Sequence, residues 1–289
     1  MVPRVGEAPV RLLMCPPTEF GVRYEINPWM SLARRADGDR AIAEWERLRA
    51  TLEGLGAAVE LEAPVLGLPD QVFTANAGFA PADRAVAATF THPERQREEP
   101  AHEAWFADHG YVVTRCSWPL EGAGDLCGAG DALLGGHGVR SDRRALEEAA
   151  AWLGVDVVPV EMNDPWLYHL DLIVAPLGGH SALVAPRGLT TEGARAVAAL
   201  YSDTIELTPE ETEDFAANCL VVNGAAVMHR CSPRLGRELA ARGLEAVESP
   251  VGEFLKAGGA VRCMALRLDG GPAAPAPPRP AAATLGALP

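Results

Sequence analysis

The apolar positions along this chain change period again and again. Five stretches carry helix-spaced apolar residues, and each ends in a short break followed by a β-rich run. RAIAEWERLRATLEGLG leads into AAVELEA, HEAWFADHG into YVVTRCS, SDRRALEEAAAWLG into VDVVPVE, TEGARAVAALYSD into TIELTPE, and SPRLGRELAARG into LEAVESP. Ser141, Thr191 and Ser232 are the expected N-caps, and Gly56, Gly110, Gly154 and Gly243 the expected glycines just past helix ends. Between these units, QVFTANAGFAPADRAVAATF, DLIVAPLGGHSALVAP and NCLVVNGAAVMH each show two apolar runs around a turn, the pattern of a hairpin. DLCGAGDALLGG is a weaker member of the set. The first strand, VRLLMCPP, and the last, AVRCMALRL, make a further pair if the chain ends meet. The repeat is strand, strand, helix, strand at a period of roughly 50 residues, in the range of closed arrays. The expected fold is therefore α/β: a ring of five ββαβ modules closed by the terminal strands, because closure removes two exposed sheet edges. Residues 1–269 read as one domain. From Gly270 the chain is Pro- and Ala-rich with few large apolar side chains, which predicts a disordered tail over 270–289.

Composition narrows the function. The 289 residues include 39 acids against 25 bases, for a formal charge of −14. That balance argues against nucleic acid and against an anionic membrane surface, since both recruit Lys and Arg. No apolar run is long enough to span a bilayer, and the first residues lack a basic segment followed by an apolar one, so cytoplasm is the expected location. The six cysteines are scattered singly, with no CxxC and no HExxH, and the histidines show no ligand spacing; a structural zinc site is not expected. No dinucleotide, phosphate-loop or serine-nucleophile motif is present.

The candidate chemistry is spread over the modules. Cys263 follows a glycine-rich approach, KAGGA, on the way into the last strand, and Arg262 beside it is a cation of the kind that favours a thiolate. A buried inert thiol is the ordinary alternative. His169 and Asp171 stand two apart on an expected strand and so share a face, which suits a general acid/base held by an anion; a turn-capping pair is the plain alternative. Glu121 and Asp125 flank the small residues of EGAGD, either around a bound cation or as an acidic surface turn. Asn76 and Asn27 are amides that each suit a turn. Arg95 and Arg140 sit in charged loops, where a bidentate hold on a carboxylate is available to them. A ring would bring strand ends from different modules to one central cavity. A thiol, a histidine and several carboxylates around one pocket suit a planar cation with an electrophilic carbon, and a guanidinium fits.

PDQVFTANAG, EGAGD, YHLDLIVAPL, AANCLVVNG and KAGGAVRCMALRL follow the order of the guanidine-modifying, or pentein, superfamily, and the chain resembles its arginine deiminases, dimethylargininases and amidinotransferases. Over about residues 10–268 it is most similar to the arginine dihydrolase module of cyanobacterial arginine-to-ornithine enzymes, through RLLMCPP, EINPWM, FTANAG, ERQREEP, EGAGD, YHLD and FLKAGGA. The resemblance implies a fivefold propeller. It also implies Cys263 as the nucleophile forming a thiouronium intermediate, His169 as the acid/base, and Glu121 and Asp171 as the carboxylates holding the guanidinium. Arg95 and Arg140 match positions that hold an α-carboxylate, and Asn27 one that lines the pocket; Asp125 is expected to face the same cavity. It implies a small guanidino substrate and no cofactor.

Asn76 departs from arginine deiminases, which carry an aspartate there, and matches the dihydrolases, where an asparagine accompanies a second hydrolysis to ornithine. An amide both donates and accepts, and as a neutral partner it tolerates the uncharged ureido product of the first step. The expected activity is hydrolysis of arginine to ornithine or citrulline with release of ammonia. The alternatives are hydrolysis of Nω-methylated arginine, amidino transfer to an amine, and a ring that binds arginine-like ligands without turning them over.

Overall fold

A computed structural model of the chain describes residues 9–269; the expected tail lies outside them. The chain ends do meet: β1 (Arg11–Met14) pairs antiparallel with β15 (Leu266–Arg267) on one side and parallel with β2 (Ala58–Leu61) on the other. Four further three-stranded sheets repeat that plan. They are β3 (Gly78–Phe79), β4 (Arg84–Ala87) and β5 (Val112–Arg115); β6 (Leu126–Ala129), β7 (Ala132–His137) and β8 (Asp156–Glu161); β9 (Val174–Gly178), β10 (Ser181–Val184) and β11 (Asp203–Glu206); and β12 (Leu220–Val222), β13 (Ala225–Met228) and β14 (Glu245–Glu248). In each, an antiparallel hairpin supplies the inner and middle strands, and a helix carries the chain to an outer strand parallel to the middle one. The five crossover helices are α1 (Gly38–Gly54), α2 (Glu99–Asp108), α3 (Arg143–Leu153), α4 (Thr191–Leu200) and α5 (Pro233–Ala241). This is the expected α/β ring of five ββαβ blades.

Local chemistry explains most boundaries. Ser232 caps α5 as expected, its Oγ accepting from the Leu235 amide at 3.0 Å. Ser141 and Thr191 do not cap: Asp142 and Thr190 do, accepting from Arg144 N and Gly193 N. Asp142 presents a carboxylate at the cap and leaves the Ser141 hydroxyl free for Asp125, 2.6 Å away. The four glycines expected at helix ends all have positive φ, between 73° and 90°, which a side chain would strain.

Three expected strands are shorter than their apolar runs suggest. QVFTANA forms two 3₁₀ turns, Pro69–Val72 and Thr74–Ala77, before a two-residue β3. Its polar groups bond across the ring, Thr74 Oγ1 to the Leu13 carbonyl and Ala75 N to the Cys263 carbonyl, instead of joining a ladder. His169 and Asp171 likewise flank and enter a 3₁₀ turn, Leu170–Leu172, so a shared strand face does not explain their placement. Cys263 sits in a turn ahead of β15, not within it. The weak hairpin, DLCGAGDALLGG, is by contrast fully formed by β6 and β7. Its glycines dilute the apolar pattern for a steric reason: a Cβ on Gly135 would stand 2.9 Å from Leu146, and one on Gly136 2.8 Å from both Leu170 and Met162.

Candidate active site

Each inner strand is preceded by a tight turn, and these turns converge at one end of the ring axis. Asn76 lies ahead of β3, Glu121 ahead of β6, His169 and Asp171 ahead of β9, Asn218 ahead of β12, and Cys263 ahead of β15. Asn218 was not singled out in the sequence. A signal for it exists: Phe73-Thr74-Ala75-Asn76 and Phe215-Ala216-Ala217-Asn218 repeat the same four-residue pattern at equivalent places in two blades.

Cys263 is buried, 2% exposed. Asn218 clamps it at both ends, its Oδ1 accepting from the Cys263 backbone amide at 3.1 Å and its Nδ2 donating to Sγ at 3.1 Å. Asp171 Oδ2 is 3.4 Å from Sγ. Burial, reinforced by the Asp171 charge, pushes the thiol well above its ordinary range, so the sulfur is held as a thiol. Arg262 does not bring a cation to it. Its guanidinium turns away and donates to the Val174 carbonyl at 3.2 Å. Asp171 is itself raised by burial, and its Oδ1 is buried without a hydrogen-bond partner.

Facing them is a preformed ion cluster. Glu121 Oε2 accepts from His169 Nε2 at 2.8 Å and from Arg140 Nη1 at 3.0 Å. Burial alone would raise Glu121, but the Arg140 guanidinium and the bonded imidazole outweigh it and hold the carboxyl well below the usual range. Arg140 also donates to the Ile26 carbonyl at 3.0 Å and lies over the Tyr168 ring, 4.6 Å from its centroid. Tyr168 Oη in turn donates to the Gly258 carbonyl at 2.7 Å. Gly258 has φ +85°, and a Cβ there would stand 2.8 Å from that phenol oxygen, so the glycine-rich approach to Cys263 is required by close packing. Asn27 staples the facing loop to this approach, its Nδ2 donating to the Ala257 carbonyl at 3.0 Å while its Oδ1 accepts from Trp29 N at 2.9 Å.

Arg95 and Asn76 complete the wall. Arg95 grips Glu98 with Nε and Nη2, and its Nη1 donates to Asn76 Oδ1 at 2.8 Å. Asn76 Nδ2 donates to the Glu121 carbonyl at 3.1 Å. These two bonds fix which way the amide points. Gly124 makes the room, since a Cβ there would fall 2.3 Å from Asn76 Nδ2. Behind Arg95, His102 lies 3.5 Å from Glu98 and 2.9 Å from Glu62. Burial would lower His102, but the two carboxylates outweigh it and push it up to about 9.

A small void of about 10 Å³ lies here, lined by Asn27, Asp70, Asn76, Arg95, Arg140, Tyr168 and Cys263 among others; Glu121, His169 and Asp171 are not among its walls. Asp70 was not singled out in the sequence; burial raises it to about 6 against the opposing Arg95 charge. Asp125 departs from the expectation. It is turned away beneath the His169 turn, bonded to Ser141 Oγ at 2.6 Å and to Leu170 N at 3.1 Å, and does not line the void. A carboxylate with both oxygens engaged supports the turn and has nothing left for a ligand. Among the described residues no His, Cys, Asp and Glu cluster suits a metal.

A family profile described as N,N dimethylarginine dimethylhydrolase, eukaryotic, matches residues 24–268. The chain belongs to that family. The dimethylarginine dimethylaminohydrolase of Mycobacterium tuberculosis is 38% identical over 258 residues, covering 89% of this chain and 85% of that protein. The bifunctional arginine dihydrolase/ornithine cyclodeaminase ArgZ of Synechocystis is also 38% identical, over 266 residues; the match covers 90% of this chain and only 38% of ArgZ. Among solved structures, the N-terminal domain of cyanobacterial ArgZ, a Cys-to-Ser mutant bound to its substrate, superposes with a TM-score of 0.87 at 36% identity, covering 91% of this chain and 99% of that one. These likenesses bear out the pentein superfamily, its five-bladed fold, and a guanidine-modifying hydrolase close to the arginine dihydrolase module.

Proposed function

We propose that this chain hydrolyses the guanidinium group of arginine by covalent catalysis at Cys263, and does so twice, giving ornithine, two molecules of ammonia and carbon dioxide. One observation carries the reading: beside the buried Cys263 thiol, Asp171 keeps one oxygen 3.4 Å from Sγ and the other without any partner. A guanidinium seated there gives the orphaned oxygen its donor and brings positive charge to the sulfur. That charge lowers the thiol pKa where the empty site raises it, so substrate binding itself generates the nucleophile.

The remaining groups follow from the same seat. Sγ gives up its proton to the neutral His169 imidazole and adds to the guanidinium carbon, and His169, held by Glu121, passes that proton to the departing nitrogen as the C–N bond breaks and ammonia leaves. The neutral imidazole then takes a proton from water, whose oxygen adds to the thiouronium carbon; the C–S bond breaks and citrulline remains. Glu121 is already shared between Arg140 and His169, so its first task is to hold the imidazole, and Asp171 is the freer carboxylate for the substrate. Arg95 and Arg140 line the void beside Asp70, a pairing of cations and an anion that suits the carboxylate and ammonium of an amino acid. Asn76, neutral and oriented by Arg95, supports retention of the ureido group for a second attack. The six unpaired cysteines support a reducing, cytoplasmic setting.

A second reading, hydrolysis of Nω-methylated arginine, is favoured by the likeness to the mycobacterial protein. Purified protein incubated separately with arginine, monomethylarginine and dimethylarginine, with ornithine, citrulline and amines resolved by mass spectrometry, separates them. Ornithine from arginine is expected. Methylamine or dimethylamine as the only released amine would sink the proposal.

A further inference from the structure

We propose that the far end of the ring axis is a second binding site, for a small carboxylate with an apolar body. A cavity of about 410 Å³ lies there, on the scale of small-molecule pockets. The inner strand of every blade lines it: Phe79 of β3, Leu126 of β6, Leu177 of β9, Leu220 of β12 and Arg267 of β15. Neither Cys263 nor the arginines of the reaction site are among its walls.

The ligand's charge is set by Arg262, which also lines this cavity. Its guanidinium has the Val174 carbonyl as a hydrogen-bond acceptor, and no carboxylate among the described residues lies within ion-pair distance of it. Asp171 acts on it only through space, with its Oδ2 beside Cys263 Sγ. Cys127 shares a side-chain hydrogen bond with Arg262 and Cys219 stands nearby, but burial pushes both thiols up, Cys219 to about 12, so neither offers an anion. At the rim, Arg267 is paired with Asp269 at 2.9 Å. Two arginines against one aspartate leave the lining with a net charge of +1, in a chain whose formal charge is −14. A partly buried guanidinium with no carboxylate in contact is costly, and an anion that fits the cavity lowers that cost. The strand walls, with Phe79, Leu126, Leu177 and Leu220, accept a hydrocarbon body.

Benzoate is a suitable probe, titrated calorimetrically into the full-length protein with and without saturating arginine, using Cys263→Ser so that arginine is not consumed. Binding unchanged by arginine is expected. Benzamide, the neutral isostere, is expected to bind roughly tenfold more weakly, as loss of a charge-assisted contact predicts. Val221→Trp, which fills the cavity from β12, should weaken benzoate roughly tenfold or more while arginine turnover in the otherwise native protein stays within about twofold. Arg262→Met should weaken it similarly. Displacement of benzoate by arginine, equal affinity for benzamide, undiminished binding to Val221→Trp, or no binding at low-millimolar benzoate overturns the proposal.

Discussion

The two ends of the ring axis share five inner strands and little else. At the end that holds Cys263 the lining comes from the turns that precede those strands, it is crowded with ionised side chains, and the void is about 10 Å³. At the other end residues of all five inner strands stand beside turn residues such as Ala75, Ala123 and Arg262, and the cavity reaches about 410 Å³. Volume is therefore a poor guide to where the chemistry lies. Covalent attack on a guanidinium needs charges fixed in advance in a site of low dielectric, where each is worth more and nothing has to reorganise. Turn residues provide this because each turn aims polar atoms inward while spending few on a ladder. Strands satisfy their own backbone and offer hydrocarbon instead.

Several changes would break or sharpen that contrast. The largest effect is expected from Cys263→Ser: a fall of roughly 10⁴-fold or more in arginine turnover, with little change in the melting temperature. Steady-state kinetics beside a thermal melt tests it, and undiminished turnover removes the reaction from this end of the axis. Glu121→Gln comes next. It leaves Arg140 and His169 buried without their shared anion, so stability should fall by roughly 3–5 kcal/mol in denaturant titration and turnover by roughly 10²-fold or more. A stable variant with ordinary kinetics means the cluster is not needed for catalysis.

Asn76→Asp loses the bond to the Glu121 carbonyl and puts a charge where the ureido product would rest. Product analysis should shift from ornithine toward citrulline; ornithine as the continuing main product would retire the role given to the amide. A pH effect follows from His102, whose folded value is about 9 against an ordinary 6.5. A raised histidine contributes its stability fully below 6.5 and loses it as pH rises through 9, on the order of 3 kcal/mol. Melting temperatures measured from pH 6.5 to 9.5 should fall, and His102→Gln should flatten that fall. The smallest effect is expected at the far end. Arg267→Ala breaks a surface pair with Asp269, so stability should change by less than about 1 kcal/mol and arginine turnover by less than about twofold.

The blades were readable from sequence because helix caps, helix-end glycines and apolar periods act over a few residues. All five crossover helices lie where the period of apolar residues puts them, although Asp142 and Thr190 take the caps expected of Ser141 and Thr191. The turns were harder to read. QVFTANA has the composition of a strand, and only its bonds to Leu13 and Cys263 across the ring make it two 3₁₀ turns. Asp125 and Asp70 show why carboxylates in a motif are not interchangeable. Asp125 belongs to EGAGD and turns away, whereas Asp70, given no role within PDQVFTANAG, lines the void.

By itself the sequence determined the repeating blade, the ring it closes into, and the set of groups able to attack a guanidinium. These follow from local spacing and residue chemistry. The tertiary structure decided which of those groups are already paired and which are left open. Asn218 and Cys263 are 45 residues apart and Asp171 and Cys263 are 92 apart, so neither contact leaves a local trace in the chain. Burial and partner choice depend on what the other blades bring to the axis. For that reason only the folded ring shows Glu121 already shared, Asp171 with an oxygen to spare, and Arg262 facing the opposite cavity.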